Sequence, residues 1–264
     1  MDACATIAGN SPAIEHMSDV KTLTLALDAL LQPDKFRDYG PNGLQVEGAG
    51  PVRKLVSGVT ASRALIEAAI AADADAILVH HGLFWRGQDG RVTGWMRERL
   101  RLLLAHDIHL FAYHLPLDAH PELGNNAQLG RALGWRADTR FGEQDLGFCA
   151  ACESTDVQAL LRHVEHTLKR PVVWVAGDGR PVRRVAWCTG GAQGYFEAAI
   201  AAGADVFITG EISEPQAHLA RETGVAFLAC GHHATERYGA PAVASHVAKE
   251  LGLVHEFIDI DNPA

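Results

Sequence analysis

Several things this chain lacks narrow its function before any motif is read. No apolar run among its 264 residues approaches the ~18 that a membrane-spanning helix needs. Positive charge is scarce: 23 Lys and Arg against 32 Asp and Glu leave a net charge of −9, which argues against a nucleic-acid surface. The N-terminus has neither the basic nor the apolar region of a secretion signal. The five cysteines, Cys4, Cys149, Cys152, Cys188 and Cys230, are odd in number and form no framework, which fits a reducing, cytoplasmic setting. Cys149-x-x-Cys152 lacks the second pair of a zinc site, and the alternation in LGFCAACES puts the two thiols on opposite faces of a strand. Neither phosphate-cradling glycine motif is present, nor is the Gly-x-Ser-x-Gly nucleophile elbow.

What is present is a split set of metal-ligand residues. His80 and His81 open VHHGLFW, Asp118 lies in YHLPLDAHPELGNN, and His232 and Glu236 fall in GHHATERYG. Imidazoles and carboxylates suit Zn, Mn, Fe, Ni or Co. A glutamate can bridge two cations, so five ligands predict a dinuclear site of the kind chiefly used for hydrolysis.

The two halves resemble each other. VRKLVSGVTASRALIEAAIAADADAILVHHG starts at Val52 and VRRVAWCTGGAQGYFEAAIAAGADVFITGE at Val182, an offset of 182 − 52 = 130 held through a shared EAAIAA. Further on, IHLFAYHLPLD ends at Asp118 and VAFLACGHHATE at Glu236, an offset of 236 − 118 = 118. The twelve missing residues belong to the stretch around GLFWRGQDGRVTGW, which has no counterpart in the second half. Each copy reads strand, helix, strand, so the fold class is α/β with mostly parallel sheets. Residues 1–19 are expected to be a flexible leader, 20–136 a first α/β lobe and 137–264 a second. Ser18 is a candidate cap for a helix carrying Leu23, Leu27 and Leu30. Both histidine clusters follow apolar strands, where α/β sheets bind ligands, so the site is expected in the cleft between lobes.

DYGPNGLQVEG, LVHHGLFW, HLPLDAHPELGNNAQLG and GHHATERYG together resemble the GTP cyclohydrolase I type 2 family, also called the NIF-three-like family. The resemblance runs from the first helix to the C-terminal FIDIDNPA. It implies that His80, His81, Asp118, His232 and Glu236 hold two divalent cations, with Glu236 bridging. It also implies a toroidal homohexamer, a trimer of dimers, with its sites facing an internal cavity. The implied reaction is hydrolysis of GTP at C8 of the guanine, ending in dihydroneopterin triphosphate and formate. The rival reading is a non-catalytic metal-binding ring with a regulatory or scaffolding role.

Other residues carry weaker expectations. His114 stands four residues before Asp118, as His232 does before Glu236, and is a candidate to hydrogen-bond a ligand or substrate; Pro116 argues for a loop there. His233 reads as an acid–base group or as packing. Glu211, at the repeat position of His81, is a candidate for proton transfer or the cleft wall. Asp38, Asn42 and Gln45 lie in a glycine–proline turn, with turn chemistry or substrate contact both open. Asn125 and Asn126 read as caps for the helix AQLGRALGW. Trp85 and Arg86 read first as core and surface residues, and second as contacts for a purine or phosphate.

Overall fold

The structure is a computed structural model describing residues 17–154 and 156–264; most of the expected leader lies outside that range. The first half runs α1 (Val20–Leu31), β1 (Gly43–Val46), β2 (Lys54–Thr60), α2 (Arg63–Ala71), β3 (Ala76–His81), α3 (Gly94–Ala105), β4 (His109–Ala112), α4 (Leu115–Ala119) and α5 (Asn125–Ala132). The second half runs β5 (Thr139–Phe141), β6 (Gly147–Ser154), α6 (Val157–Leu168), β7 (Val173–Val175), β8 (Val182–Trp187), α7 (Phe196–Ala201), β9 (Val206–Thr209) and α8 (Glu214–Thr223). It closes with β10 (Ala226–Ala229), α9 (His232–Glu236), α10 (Gly239–Leu251) and β11 (Val254–Phe257).

Two sheets form, ordered β1-β4-β3-β2-β11 and β5-β6-β8-β9-β10-β7. Within them β1-β4-β3-β2 and β7-β10-β9-β8 have the same order, three parallel strands with an antiparallel edge strand. A hydrogen-bond detail recurs with it. Asp75 accepts from the backbone N–H groups of Arg53 and Lys54, and Asp205 from those of Arg183 and Arg184, an offset of 205 − 75 = 130. Most of the unmatched residues fall between β3 and α3, a loop of residues 82–93, where the second half has only 210–213 between β9 and α8.

The apolar runs in the central strands come from burial on both faces. Along β3, Ala76 and Leu78 enter one core cluster while Ile77 and Val79 enter another. On β9, Val206 and Ile208 face away from Phe207 in the same manner. Cys149 and Cys152 likewise go to separate clusters, as strand alternation requires.

Two details depart from expectation. Asp19, not Ser18, caps α1, its carboxylate accepting from Thr22 N–H at 2.6 Å; Ser18 instead forms a bridge with Val52. More consequentially, packing crosses the division between 20–136 and 137–264. Helix α5 sends Leu129, and its C-cap Leu133, into the core of the second sheet beside Val185 and Trp187. Helix α10 sends Val243 and Val247 onto the first sheet beside Leu23 and Leu55, and β11 pairs with β2. Each half thus lends its last helix to the other's core. Such an exchange is invisible to periodicity, because an apolar stripe does not specify which sheet it covers.

Candidate metal centre

The five residues expected as ligands come together. His80 and His81 occupy the last two positions of β3, straddling the end of the sheet. Asp118 and Glu236 sit on the one-turn helices α4 and α9, which follow β4 and β10. Glu236 lies between the clusters. Its Oε1 is 3.3 Å from His80 Nε2, and its Oε2 is 3.3 Å from His81 Nε2 and 3.1 Å from His232 Nε2. Asp118 Oδ1 completes the first group at 3.5 Å from His80 Nε2. His80, Asp118 and Glu236 therefore form one cluster, and His81, His232 and Glu236 another, each able to hold a metal ion.

Donor spacing provides a fit test. Two donors held at about 2.0–2.1 Å from one tetrahedral cation lie about 3.3 Å apart, which is the spacing found. Moreover, His80 Nε2 and Glu236 Oε2 are buried without any hydrogen-bond partner. Buried polar atoms are seldom left so, and a cation in each cluster would account for one of them. The residues present fit a two-cation centre.

Each imidazole is aimed by its other nitrogen. Nδ1 of His80 meets the Tyr113 carbonyl at 3.1 Å, that of His81 the Thr60 hydroxyl at 3.2 Å, and that of His232 the Glu211 carboxylate at 2.6 Å. With Nδ1 engaged, Nε2 is left to point inward. Asp118 Oδ1 accepts from Asn125 Nδ2 and Thr189 Oγ1, while Asn126 donates to the Asp118 backbone carbonyl.

The cluster's electrostatics follow from burial and neighbours. Burial pushes the His80 imidazole down, but Asp118 and Glu236 outweigh it and bring it to about 9. His81, buried beside His80, falls to about 3. Burial opposes the charge on Glu236, yet the surrounding histidines hold its carboxyl well below the usual range.

The remaining candidates divide. His114 reaches the centre, its ring 5.0 Å from that of His80, and its Nδ1 lies 2.7 Å from Asp38. Pro116 does not force a loop there: it stands in the first turn of α4, where its missing N–H is harmless, and His114 is the N-cap residue. Asp38 is bound rather than displayed, accepting from Asn42, Leu115 N–H and Tyr39 N–H. Burial raises its carboxyl, but His114 and these donors together hold it at about 2. Gln45 turns away to bond Leu83 N–H and the Pro41 carbonyl. Asn125 and Asn126 are not caps, since Gly124 precedes them at the helix start. They instead link Asp118 to Gly239 N–H and Thr189 N–H. His233 points elsewhere, bonding Asp259 at 2.9 Å in a separate cleft.

A cavity of about 580 Å³ opens onto the cluster, walled by Tyr39, Trp85 and Tyr195, with Arg37 and Arg86 as its cations. Trp85 and Arg86 come from the loop that the second half lacks, and the Trp85 ring stands edge-on to His114 at 5.0 Å. Sequence reasoning did not single out Thr60, Thr189 or Tyr195, nor Gly190, whose N–H donates to the Thr235 hydroxyl at 3.0 Å. A CTGG following β8 was the only local signal for two of them.

A two-sheet α/β chain with this donor cluster at the strand ends defines a class: the chain belongs to the Duf34/NIF3 (NGG1p interacting factor 3) family, whose model matches residues 18–263. Among its relatives, the "GTP cyclohydrolase 1 type 2 homolog" of Neisseria meningitidis serogroup B is 53% identical over 89% of this chain and 94% of its own length. The protein so described from Pseudomonas aeruginosa is 50% identical over 93% of this chain and 98% of its own. Among solved structures, protein ybgI, described as of unknown function, superposes with a TM-score of 0.90 at 45% identity, covering 93% of this chain and 100% of its own. A Thermus thermophilus protein gives 0.86 at 33% identity, with the same coverage.

Proposed function

We propose that the chain is a hydrolase working with two divalent cations, acting on ring C–N bonds of the kind opened in guanine, with GTP as the substrate to try first. The observation that carries this reading is the shared Glu236: its two oxygens serve two separate donor sets, and a cavity of small-molecule size opens on both. Cations bound there would acidify water toward neutrality and polarise the substrate. The chain's own contribution is positional. Tyr113, Thr60 and Glu211 orient three imidazoles, and Asn125 with Thr189 fixes Asp118. His114, oriented by Asp38, presents its Nε2 as an acid–base group for a leaving nitrogen. Trp85 and Tyr195 offer faces for a planar base, with Arg37 and Arg86 available for phosphate. A cytoplasmic homohexamer belongs to the same reading.

The test is to load purified protein with metal and assay formate release from GTP alongside a panel of nucleotides, phosphoesters and cyclic amides. His80→Ala serves as control. Turnover that survives in His80→Ala, or no turnover of any substrate by fully loaded protein, overturns the reading. The latter result favours a non-catalytic metal-binding ring, which is supported by ligands drawn from both halves of the chain: cations there would fasten the halves together.

A further inference from the structure

A second cleft lies away from the metal centre, beside α5 and the edge of the second sheet, with a volume of about 820 Å³. Its chemistry contrasts with that of a chain carrying a net charge of −9. Arg131, Arg136 and Arg140 line it together with Trp135; Phe148 and Trp187 form its floor but are 2% and 0% exposed, so Trp135 alone offers a ring face. Two carboxylates also line it, Glu122 and Asp138, and Asp138 is already engaged by Arg184 at 2.8 Å. The side chains of Arg131 and Arg136 are exposed and make no hydrogen bond or ion pair among the described residues. Arg140 is fixed, its guanidinium 4.3 Å above the Phe148 ring and its Nη1 2.9 Å from the Ala119 carbonyl. The half-buried Trp135 packs against Trp187 with ring centroids 5.7 Å apart, so its position is supported. Arginine forks beside one supported indole face, within a cleft of small-ligand size, suit a planar ring bearing phosphate.

The cleft also touches the metal centre by two short routes. Arg140 bonds the carbonyl of Ala119, the residue after Asp118. Trp187 donates its indole N–H to the Asn126 carbonyl at 2.9 Å, and Asn126 in turn donates to the Asp118 carbonyl. Both routes end on α4. A ligand that draws on Arg140 or presses on the Trp135–Trp187 pair therefore bears on the helix that carries a metal donor.

We infer that this cleft is an effector site for a mononucleotide, and that its occupancy alters metal affinity at the Asp118 cluster. The coupling is reciprocal: a nucleotide that changes zinc affinity is itself bound differently by the zinc-loaded protein.

The experiment uses the full chain and GMP. Calorimetry on wild type is expected to show saturable binding below about 1 mM. Binding should weaken at least about tenfold in Arg131→Glu/Arg136→Glu, whose circular dichroism should be unchanged, and should persist in Trp85→Ala, which alters the other cavity. Zinc affinity, measured against a competing chelator, should shift about fivefold or more with saturating GMP. That shift should vanish in the double variant. Absence of saturable binding overturns the assignment, as does binding of unchanged stoichiometry and affinity in the double variant, or complete loss of binding in Trp85→Ala. An unmoved zinc affinity, or a single-stranded oligonucleotide that outcompetes GMP tenfold, overturns it equally.

Discussion

Gly190→Ala is the substitution that most sharply tests the proposed bridging role of Glu236. Gly190 follows Thr189 beyond the end of β8 with φ +70, a conformation costing a side-chain-bearing residue about 1–2 kcal/mol. A Cβ built there would lie 1.9 Å from Glu236 Oε1, 2.8 Å from its carboxyl carbon and 3.1 Å from His232 Nε2. Glu236 cannot swing into solvent, because it is 2% exposed and its other oxygen is within 3.3 Å of both His81 and His232. The carboxylate must shift by about 1.5 Å to reach van der Waals distance, and the 3.3 Å approach to His80 is lost with it. Disturbing a ligand's setting typically lowers metal affinity 10–100-fold, and displacing the shared ligand itself should reach the upper end. Metal content after dialysis against a weak chelator, read by elemental analysis, should fall toward one ion per chain or none. The backbone strain alone should lower Tm by about 2–8 °C. Gly194→Ala is the control, since nothing lies within 4 Å of a Cβ there. A Gly190→Ala protein that keeps two ions at wild-type affinity would refute the bridging geometry.

Three further outcomes follow from the same contacts. Asn126→Ala removes the donor to the Asp118 carbonyl and strands the buried Thr189 N–H; it should cost about 2 kcal/mol in urea unfolding. Stripping metal with chelator should lower Tm by about 10 °C relative to protein held at a thousandfold excess of free zinc over its Kd, and zinc should restore it. Asp38→Asn should lose about 2 kcal/mol at neutral pH, because a carboxyl held at about 2, with its side chain 4% exposed, favours the folded state. A depressed carboxyl stabilises above the unfolded value near 4 and ceases to do so as pH falls through about 2. The difference between variant and wild type should therefore be full above about pH 5 and close toward pH 2; a constant difference across that range would assign the effect to packing.

The strands were legible because parallel sheets buried on both faces demand continuous apolar runs, and β3 and β9 supply them. The repeat was legible for a related reason: the positions Asp75 and Asp205 hold, each capping the start of a central strand, recur at a constant offset. The exchange of α5 and α10 was not legible. Val243 and Leu129 would satisfy an apolar face on either sheet, and only three-dimensional packing decides which one receives them.

The candidate metal ligands were legible for a different reason from the residues that aim them. Side-chain donors to a cation come from a few residue types, imidazoles and carboxylates prominent among them, so the short groupings of His80 with His81 and of His232 with Glu236 stand out by type. An orienting partner need only present one hydrogen-bonding atom toward Nδ1 or a carboxylate oxygen. The Tyr113 carbonyl, the Thr60 hydroxyl and the Thr189 hydroxyl meet that need with atoms found throughout the chain. Asn125 and Asn126 mislead for the same reason: an amide before a helix caps it or reaches across to another element, and the choice depends on what lies opposite. Here Asp118, Thr189 and Gly239 lie opposite, from both halves of the chain. The orienting contacts therefore join the halves as the ligands do, and loosening them should reduce metal affinity and fold stability together rather than separately.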